Sequence, residues 1–297
     1  MSERRRALIV DAFAEEPLAG NPAGVVPDAD DLAGGQMRAI AREINASETA
    51  FVLEADEADR RIRYFTPETE VDLCGHATIA THSHLFADGA IEAGTHTLAT
   101  EVGVLDIEVE EDGTVWMTQN APEVREIDLD PRRVADALGI DAGAIVDDLP
   151  IAWASTGLPY VVVPIEFLEN LGRADPDGDA IEGIAGEFDA TGVYAFTFDT
   201  LDGESTLHAR MFAPGAGIPE DPVTGTASGA AGGYLRHVGA FDEMPDEMVF
   251  EQGHYVDRPG RVRVRVGTEV RVGGSAVEAL DGEIRVPERE EDEIIEA

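Results

Sequence analysis

The chain has 297 residues, 43% of them hydrophobic, and is long enough to form two domains with sizeable cores. Its 61 acidic residues against 21 basic residues give a net charge of −40, which argues against nucleic acid as a partner because binding it needs a positive surface. All basic residues are arginine, and the absence of lysine excludes Schiff-base enzymes and a Walker A motif.

Acidic residues are spread over the whole chain. A diffuse acidic surface predicts adaptation to molar salt, where screening weakens self-repulsion; a basic partner is the alternative. A single cysteine, Cys74, excludes an intrachain disulfide and a CxxC site. Residues 1–13 lack the apolar length of an export signal, and no run is long enough for a membrane span. We therefore expect a cytoplasmic protein with no membrane partner.

Taken in chain order, β-branched and alternating patterns predict strands at 6–13, 49–55, 61–65, 96–119, 159–165, 192–198, 205–212 and 261–267. A hairpin turn is predicted at 111–114 within the long run 96–119. Helices are predicted at 36–45, 76–87, 131–138 and 226–238. The helices at 76–87 and 226–238 are rich in small residues and poor in charge, so we expect each to be buried inside strands. Residues 288–297 read as an acidic tail.

The chain contains an internal repeat. "RYFTPETEVDLCGHATIATHSHL" (63–85) and "RMFAPGAGIPEDPVTGTASGAAGGYL" (210–235) share Arg-x-Phe-x-Pro, a glutamate and Gly-x-Ala-[Thr/Ser]. "GNPAGVV" (20–26) and "GLPYVVV" (157–163) repeat upstream in the same order. A period near half the length predicts two similar halves. We divide them as 1–125 and 126–297, and the final strand can cross back to the first half.

Each repeated motif places a glycine at a helix start, Gly75 in the first half and Gly225 in the second. The free N–H groups of a first helical turn attract anions, helped by the helix dipole. Two such starts related by duplication predict a cleft between the halves that binds a small carboxylate. The alternative is that both glycines only begin helices.

His76 follows Gly75, and its two interpretations are proton transfer to a substrate or a capping and packing role. A neutral imidazole is expected there, because a cation is disfavoured at a helix N-terminus. His82 and His84 lie on the same predicted helix, but their spacing from His76 matches no zinc motif, so we predict no metal site. Cys74 is either a thiol nucleophile or part of a packed wall.

Two carboxylates are candidates for the chemistry. Glu48, in "INASETAFV", lies where an apolar helix end meets a strand, a partly buried position that suits a general base. The alternative is a solvated loop glutamate. Asp221, in "EDPVTG", precedes a proline just before the second helix start, and is either catalytic or orders that loop.

Together the segments "DAFAEEPLAGNPAGVV", "SETAFV", "RYFTPETEVDLCGHAT" and "EDPVTGTASG" resemble the phenazine-biosynthesis-protein F-like family, relatives of diaminopimelate epimerase. The resemblance extends over essentially the whole chain. It implies an α+β, diaminopimelate-epimerase-like fold: two similar halves, each a curved mixed β-sheet wrapped round a central helix, with the site between them.

The resemblance also implies residue roles. The family's catalytic glutamate matches Glu48, and its aspartate matches Asp221. Its Gly-His pair matches Gly75 and His76. Thr226 stands where the family has a serine. Substrate contacts are therefore expected from Gly75, Gly225 and Thr226, and catalysis from Glu48, His76 and Asp221.

The implied activity is a proton shift on a small, cyclic or unsaturated carboxylate, by a homodimer without metal or organic cofactor. Related racemases use two cysteines, one from each half. Here Thr224 occupies the position equivalent to Cys74 in the repeat, so a two-thiol racemase is excluded. Cys74 is therefore interpreted as part of the wall of the site. Two alternatives stay open: an epimerase or racemase that pairs Glu48 with another base, and a binding protein that has lost turnover.

Overall fold

The structure is a computed structural model that describes residues 3–289. Its first half contains β1 Arg4–Ala12, β2 Asn21–Val26, α1 Gly34–Ile44, β3 Thr49–Leu53, β4 Arg60–Phe65, β5 Glu70–Val71, α2 Gly75–Ala87, β6 Gly94–Thr100, β7 Gly103–Val109 and β8 Val115–Gln119. Most of the predicted acidic tail, residues 290–297, lies outside the described residues.

The second half repeats the series. It contains β9 Glu123–Glu126, α3 Pro131–Leu138, β10 Ala152–Ser155, β11 Pro159–Pro164, α4 Leu168–Gly172, α5 Gly178–Glu187, β12 Gly192–Thr197, β13 Leu207–Ala213, β14 Ile218–Asp221, α6 Gly225–Val238, β15 Met248–Gln252, β16 Gly260–Val266, β17 Val270–Gly274 and β18 Ala276–Arg285. The four predicted helices are confirmed as α1, α2, α3 and α6, whereas α4 and α5 were not predicted.

Strand pairing makes the duplication visible. In the first half the order is β18-β1-β2-β3-β4-β6-β7-β8. In the second it is β9-β10-β11-β12-β13-β15-β16-β17. Parallel pairs occur at matching places, β2 with β3 as β11 with β12, and β4 with β6 as β13 with β15. Both sheets are therefore mixed, and β8 pairs antiparallel with β17 to join them.

The two sheets take their outer strands from different parts of the chain. β9 spans residues on both sides of position 125 and pairs with β10 in the second half. β18 occupies the equivalent place in the first half, where it runs antiparallel to β1 over its whole length. The first sheet is thus completed by a strand that follows the second half in sequence.

The repeated arginine and glutamate form the same ion pair in each half. Arg63 binds Glu70 through two hydrogen bonds of 2.6 and 2.7 Å. Arg210 binds Glu220 in the same way, at 2.9 and 2.7 Å. Two parallel N–H···O bonds fix geometry as well as charge. Each pair ties the strand before the central helix to the short strand that leads into that helix.

The central helices α2 and α6 are buried for most of their length, as the small residues predicted. Close packing explains the glycines of α6: a Cβ on Gly232 would lie 2.7 Å from a methyl carbon of Val264. The main hydrophobic core surrounds both helices, and two smaller cores lie under α1 and under α3 and α5. Among the described residues, no helix combines the length and apolar character needed to cross a bilayer.

Arginines stabilise the seam between the halves. Trp116 on β8 is fully buried, with the guanidinium of Arg265 centred 3.8 Å from the middle of its ring. Arg263 and Arg271 lie over the same ring at 5.5 Å. A planar guanidinium can stack on an indole while its N–H groups bind carboxylates, which a lysine cannot do. The seam is one place where the exclusive use of arginine has a structural effect.

Candidate active site

The two central helices begin at the predicted glycines, and their N-termini lie at the junction of the two halves. α2 starts at Gly75 after Cys74, and α6 starts at Gly225 after Thr224. Neither preceding residue caps its helix with a side-chain hydrogen bond. The first-turn N–H groups can therefore bind an anionic ligand.

Glu48 and His76 meet at the start of α2. Glu48 immediately precedes β3, and its Oε2 lies 3.5 Å from His76 Nε2. The side chains are 22% and 13% exposed, respectively. Ser47 Oγ is 3.4 Å from the same imidazole nitrogen. A partly buried carboxylate that still reaches solvent has the accessibility that a general base needs.

Cys74 completes this cluster. Its Sγ lies 3.4 Å from His76 Nδ1. Burial, reinforced by the nearby Glu48 carboxylate, holds the pKa of the Cys74 thiol well above its usual range. A protonated thiol is a poor nucleophile, which supports the interpretation of Cys74 as part of the wall.

Asp221 comes from the second half, at the end of β14. Its Oδ1 accepts a hydrogen bond of 3.0 Å from Asn21 of the first half, and its Oδ2 accepts one from the Thr224 hydroxyl. Burial raises the pKa of Asp221, while the Thr224 bond and the nearby His76 oppose that rise. The charge of Glu48 also acts on this carboxyl group. The three predicted catalytic side chains therefore belong to one electrostatic cluster.

Gln252 orients the Thr224 hydroxyl. Its amide nitrogen donates to Thr224 Oγ1 at 3.2 Å and to the Asp221 carbonyl at 2.8 Å. Its amide oxygen accepts from the Thr224 N–H at 3.2 Å. Because Thr224 Oγ1 accepts from Gln252, its own proton is free to point at Asp221.

Asn21 links the halves in the same region, donating also to the Val223 carbonyl at 2.8 Å. The motif Gly-Asn-Pro was noticed in the sequence, but Asn21 itself was not singled out. Gln252 was also missed, and no spacing or motif in the sequence identifies it. Thr224 was noticed only as the repeat partner of Cys74.

The two glycines differ in their surroundings. A Cβ on Gly225 would lie 2.9 Å from the ring of Phe13, whereas nothing lies within 4 Å of one on Gly75. Phe13 has φ of 61°, an uncommon left-handed conformation for a bulky residue. The Thr226 carbonyl lies 3.3 Å from Thr156 Oγ1, whose proton has a closer acceptor in Gln119 Oε1 at 2.6 Å. The second helix start is thus closely packed, and the first is open.

The carboxylates are not related by the internal repeat. β3 pairs with β4 in the same register as β12 with β13, which places Gly192 at the position equivalent to Glu48. The short strands β5 and β14 likewise place Val71 at the position equivalent to Asp221. Each half therefore contributes one carboxylate that the other half lacks.

The remaining histidines of α2 point away from this cluster. His82 is 2% exposed, and its Nδ1 lies 2.9 Å from the Thr78 carbonyl. Burial lowers the pKa of His82 to about 4. His84 Nδ1 lies 3.6 Å from Glu278 on β18.

Ligand atoms of Glu48, Cys74 and His76 all lie within 4.8 Å of one another, and this set could hold a metal ion. The spacing of these residues in the sequence did not predict it.

Comparisons with known proteins agree with the fold. The family model described as "Phenazine biosynthesis-like protein" (PhzC-PhzF) matches residues 10–282. A Bacillus subtilis protein named "Uncharacterized isomerase YfhB" is 37% identical, over 90% of this chain and 94% of its own. The Pseudomonas aeruginosa trans-2,3-dihydro-3-hydroxyanthranilate isomerase is 34% identical, over 92% and 94%.

Solved structures show the same architecture. A Bacillus anthracis phenazine biosynthesis protein of the PhzF family superposes with a TM-score of 0.89 at 34% identity, covering 95% of this chain and 99% of that chain. A hydroxyproline epimerase from Agrobacterium vitis shares the fold alone, with a TM-score of 0.60 at 14% identity. The predicted fold, with two similar halves around central helices, is therefore confirmed.

Proposed function

The chain belongs to the phenazine biosynthesis-like protein family, and we propose that it moves a proton within a small cyclic or unsaturated carboxylate without a cofactor. The Bacillus subtilis and Pseudomonas aeruginosa relatives are both named isomerases. One observation carries the proposal. Glu48 and His76 of the first half and Asp221 of the second converge where two helices begin.

In the proposed mechanism, Glu48 removes a proton from a carbon next to an unsaturated centre and returns it to another carbon. The intermediate is enolate-like or aza-allyl-like, and donors already in place where its charge develops lower the barrier. His76 and Asp221 hydrogen-bond the substrate. Because burial raises the pKa of Asp221, this carboxyl group can take up a proton and donate it. N–H groups at Gly75, Gly225 and Thr226 bind the substrate carboxylate.

Proton exchange in D2O tests the proposal. The chain is incubated in molar KCl with trans-2,3-dihydro-3-hydroxyanthranilate, the compound named in a relative, and with a panel of cyclic amino and hydroxy acids. C–H signals are followed by NMR. Deuterium entering one compound with the wild type and not with Glu48→Gln is the expected result. Exchange that survives Glu48→Gln would assign the base elsewhere.

A second candidate is an epimerase or racemase, favoured by the placement of one carboxylate in each half. Two bases on opposite sides of a carbon can invert its configuration, with Glu48 and Asp221 in those roles. Loss of optical activity in a single enantiomer would support this alternative, and exchange with a changed double-bond position would support isomerisation. Carboxylate binding with no exchange in any compound would favour a binding protein.

We further propose that the protein acts as a homodimer in the cytoplasm, because its motifs resemble those of the phenazine-biosynthesis-protein F-like family. Light scattering on the full chain in molar KCl tests the oligomeric state. A mass near twice 31.7 kDa is expected, and a monomer at micromolar concentration would contradict the proposal.

A further inference from the structure

We infer that Glu48, Cys74 and His76 form a binding site for a thiophilic divalent metal ion such as Zn²⁺, and that the bound ion blocks proton transfer. One carboxylate oxygen, one sulfur and one imidazole nitrogen converge, with all three atoms within 4.8 Å of one another. These are the three kinds of ligand found in protein zinc sites. The binding site stands on this geometry alone, whereas the inhibition rests on the proposed function.

One of the distances already fits tetrahedral coordination, and the other is longer. Metal–ligand distances of roughly 2.0–2.3 Å and tetrahedral angles place ligand atoms about 3.4–3.6 Å apart. His76 Nε2 lies 3.5 Å from Glu48 Oε2 and 3.9 Å from Cys74 Sγ. The first distance is already in this range. Cys74 Sγ lies closer to His76 Nδ1, at 3.4 Å, so the imidazole has to turn before Nε2 and the sulfur can bind one ion. Binding of the ion therefore requires reorientation of the His76 side chain within a cluster whose three ligand atoms already lie within 4.8 Å of one another.

The local structure leaves an open coordination position. Cys74 and His76 are held by the start of α2, and Glu48 by the start of β3. Glu48 and His76 are partly exposed, so an ion can enter from the cleft. With three protein ligands, the fourth position goes to water or to a substrate oxygen.

Binding of the ion changes the chemistry of the cluster in a defined way. As the metal–sulfur bond forms, the Cys74 thiol gives its proton to solvent. The Glu48 oxygen lone pair that would accept the substrate proton is taken up by the metal. Sulfur and imidazole ligands select against Mg²⁺ and Ca²⁺, which prefer oxygen. Inhibition is therefore expected from Zn²⁺ or Co²⁺ and not from Mg²⁺.

Direct binding is tested with Co²⁺ on chelator-treated full-length protein in molar KCl. Co²⁺ bound to a thiolate gives a sulfur-to-metal charge-transfer band in the near ultraviolet. We expect this band with one equivalent of Co²⁺, its loss on adding Zn²⁺, and its absence in Cys74→Ala. The exposed His237 on the last turn of α6 provides a control, and His237→Ala should bind like the wild type.

A second variant keeps the test decisive if Cys74→Ala does not fold. Glu48→Gln should retain the sulfur band but bind Co²⁺ at least about tenfold more weakly, because a metal ligand is lost. No band in the wild type, or a band unchanged in Cys74→Ala, would overturn the site.

Inhibition is read separately by proton exchange. One equivalent of Zn²⁺ should abolish wild-type exchange while millimolar Mg²⁺ leaves it unchanged. Full exchange with Zn²⁺ bound would overturn the inhibition. If the protein exchanges no proton in any compound, the proposed function fails while the Co²⁺ band still decides whether the site exists.

Discussion

The buried imidazole of His82 should make the protein less stable as the pH falls from neutrality. Its pKa is about 4 in the folded protein, lowered from 6.5 chiefly by burial and slightly by the charges of His96 and Arg60. Between those two values the unfolded chain binds more protons than the folded one. The free energy of unfolding therefore decreases as the pH falls from about 6.5 toward 4, and this group has no such effect above 6.5.

The size of the effect follows from the same two values. One pKa unit corresponds to about 1.36 kcal/mol, so the full contribution is about 3 kcal/mol, and about 2 kcal/mol of it is lost by pH 5. The variant His82→Asn places an amide where Nδ1 contacts the Thr78 carbonyl, and it cannot titrate in this range. It should be less stable than the wild type at pH 8 because it leaves a cavity, but its stability should depend less on pH.

Urea unfolding at fixed molar KCl, at pH 8, 7, 6 and 5, measures this difference. The loss between pH 8 and pH 5 should be about 2 kcal/mol smaller in His82→Asn than in the wild type. His237→Asn makes the same substitution at an exposed site and should follow the wild-type curve. Equal pH dependence in His82→Asn and the wild type would refute the assignment of this proton to His82.

Other predictions test the site and the surface. Asn21→Leu keeps the number and branching of the side-chain heavy atoms but removes the donor to Asp221. It should lower both urea stability, by about 1–3 kcal/mol, and proton exchange; unchanged exchange would show that this bond does not matter. Gly225→Ala should cost about 1–3 kcal/mol in the same assay because its Cβ meets the Phe13 ring, whereas Gly75→Ala meets nothing; equal costs would contradict the packing argument. The net charge of −40 predicts a lower melting temperature in low salt than in multimolar KCl, and equal values would refute salt adaptation.

The elements predicted best from the sequence are those with a strong period. α2 and α6 were placed within one residue because their small side chains continue for three turns. The short strands β9 and β14 were missed, since strands of four residues show almost no periodicity. α5 was missed because its three glycines weaken the helical pattern, although Ile181, Ile184 and Ala185 form its buried face.

Sequence motifs could suggest Glu48, Gly75, His76 and Asp221, but not how close they lie. Glu48 and Cys74 come from different elements, so no spacing rule could show that their polar atoms share a cluster with His76. Gln252 is the last residue of β15, and its side-chain amide donates a hydrogen bond to the Thr224 hydroxyl. A single polar residue at a strand end leaves no pattern, and its role became visible only from the folded geometry.

The position of β18 sets an order in which the two sheets can be completed during synthesis. β9 pairs with β10 and precedes all the other strands of the second sheet in the chain, so the second half carries its own outer strand. The first half has to wait for residues 276–285, and until then β1 presents an unpaired edge. Three consecutive arginines at the start of β1, residues 4–6, place positive charge on that edge, which discourages pairing with another chain. The half that leaves the ribosome second is thus the first that can finish folding.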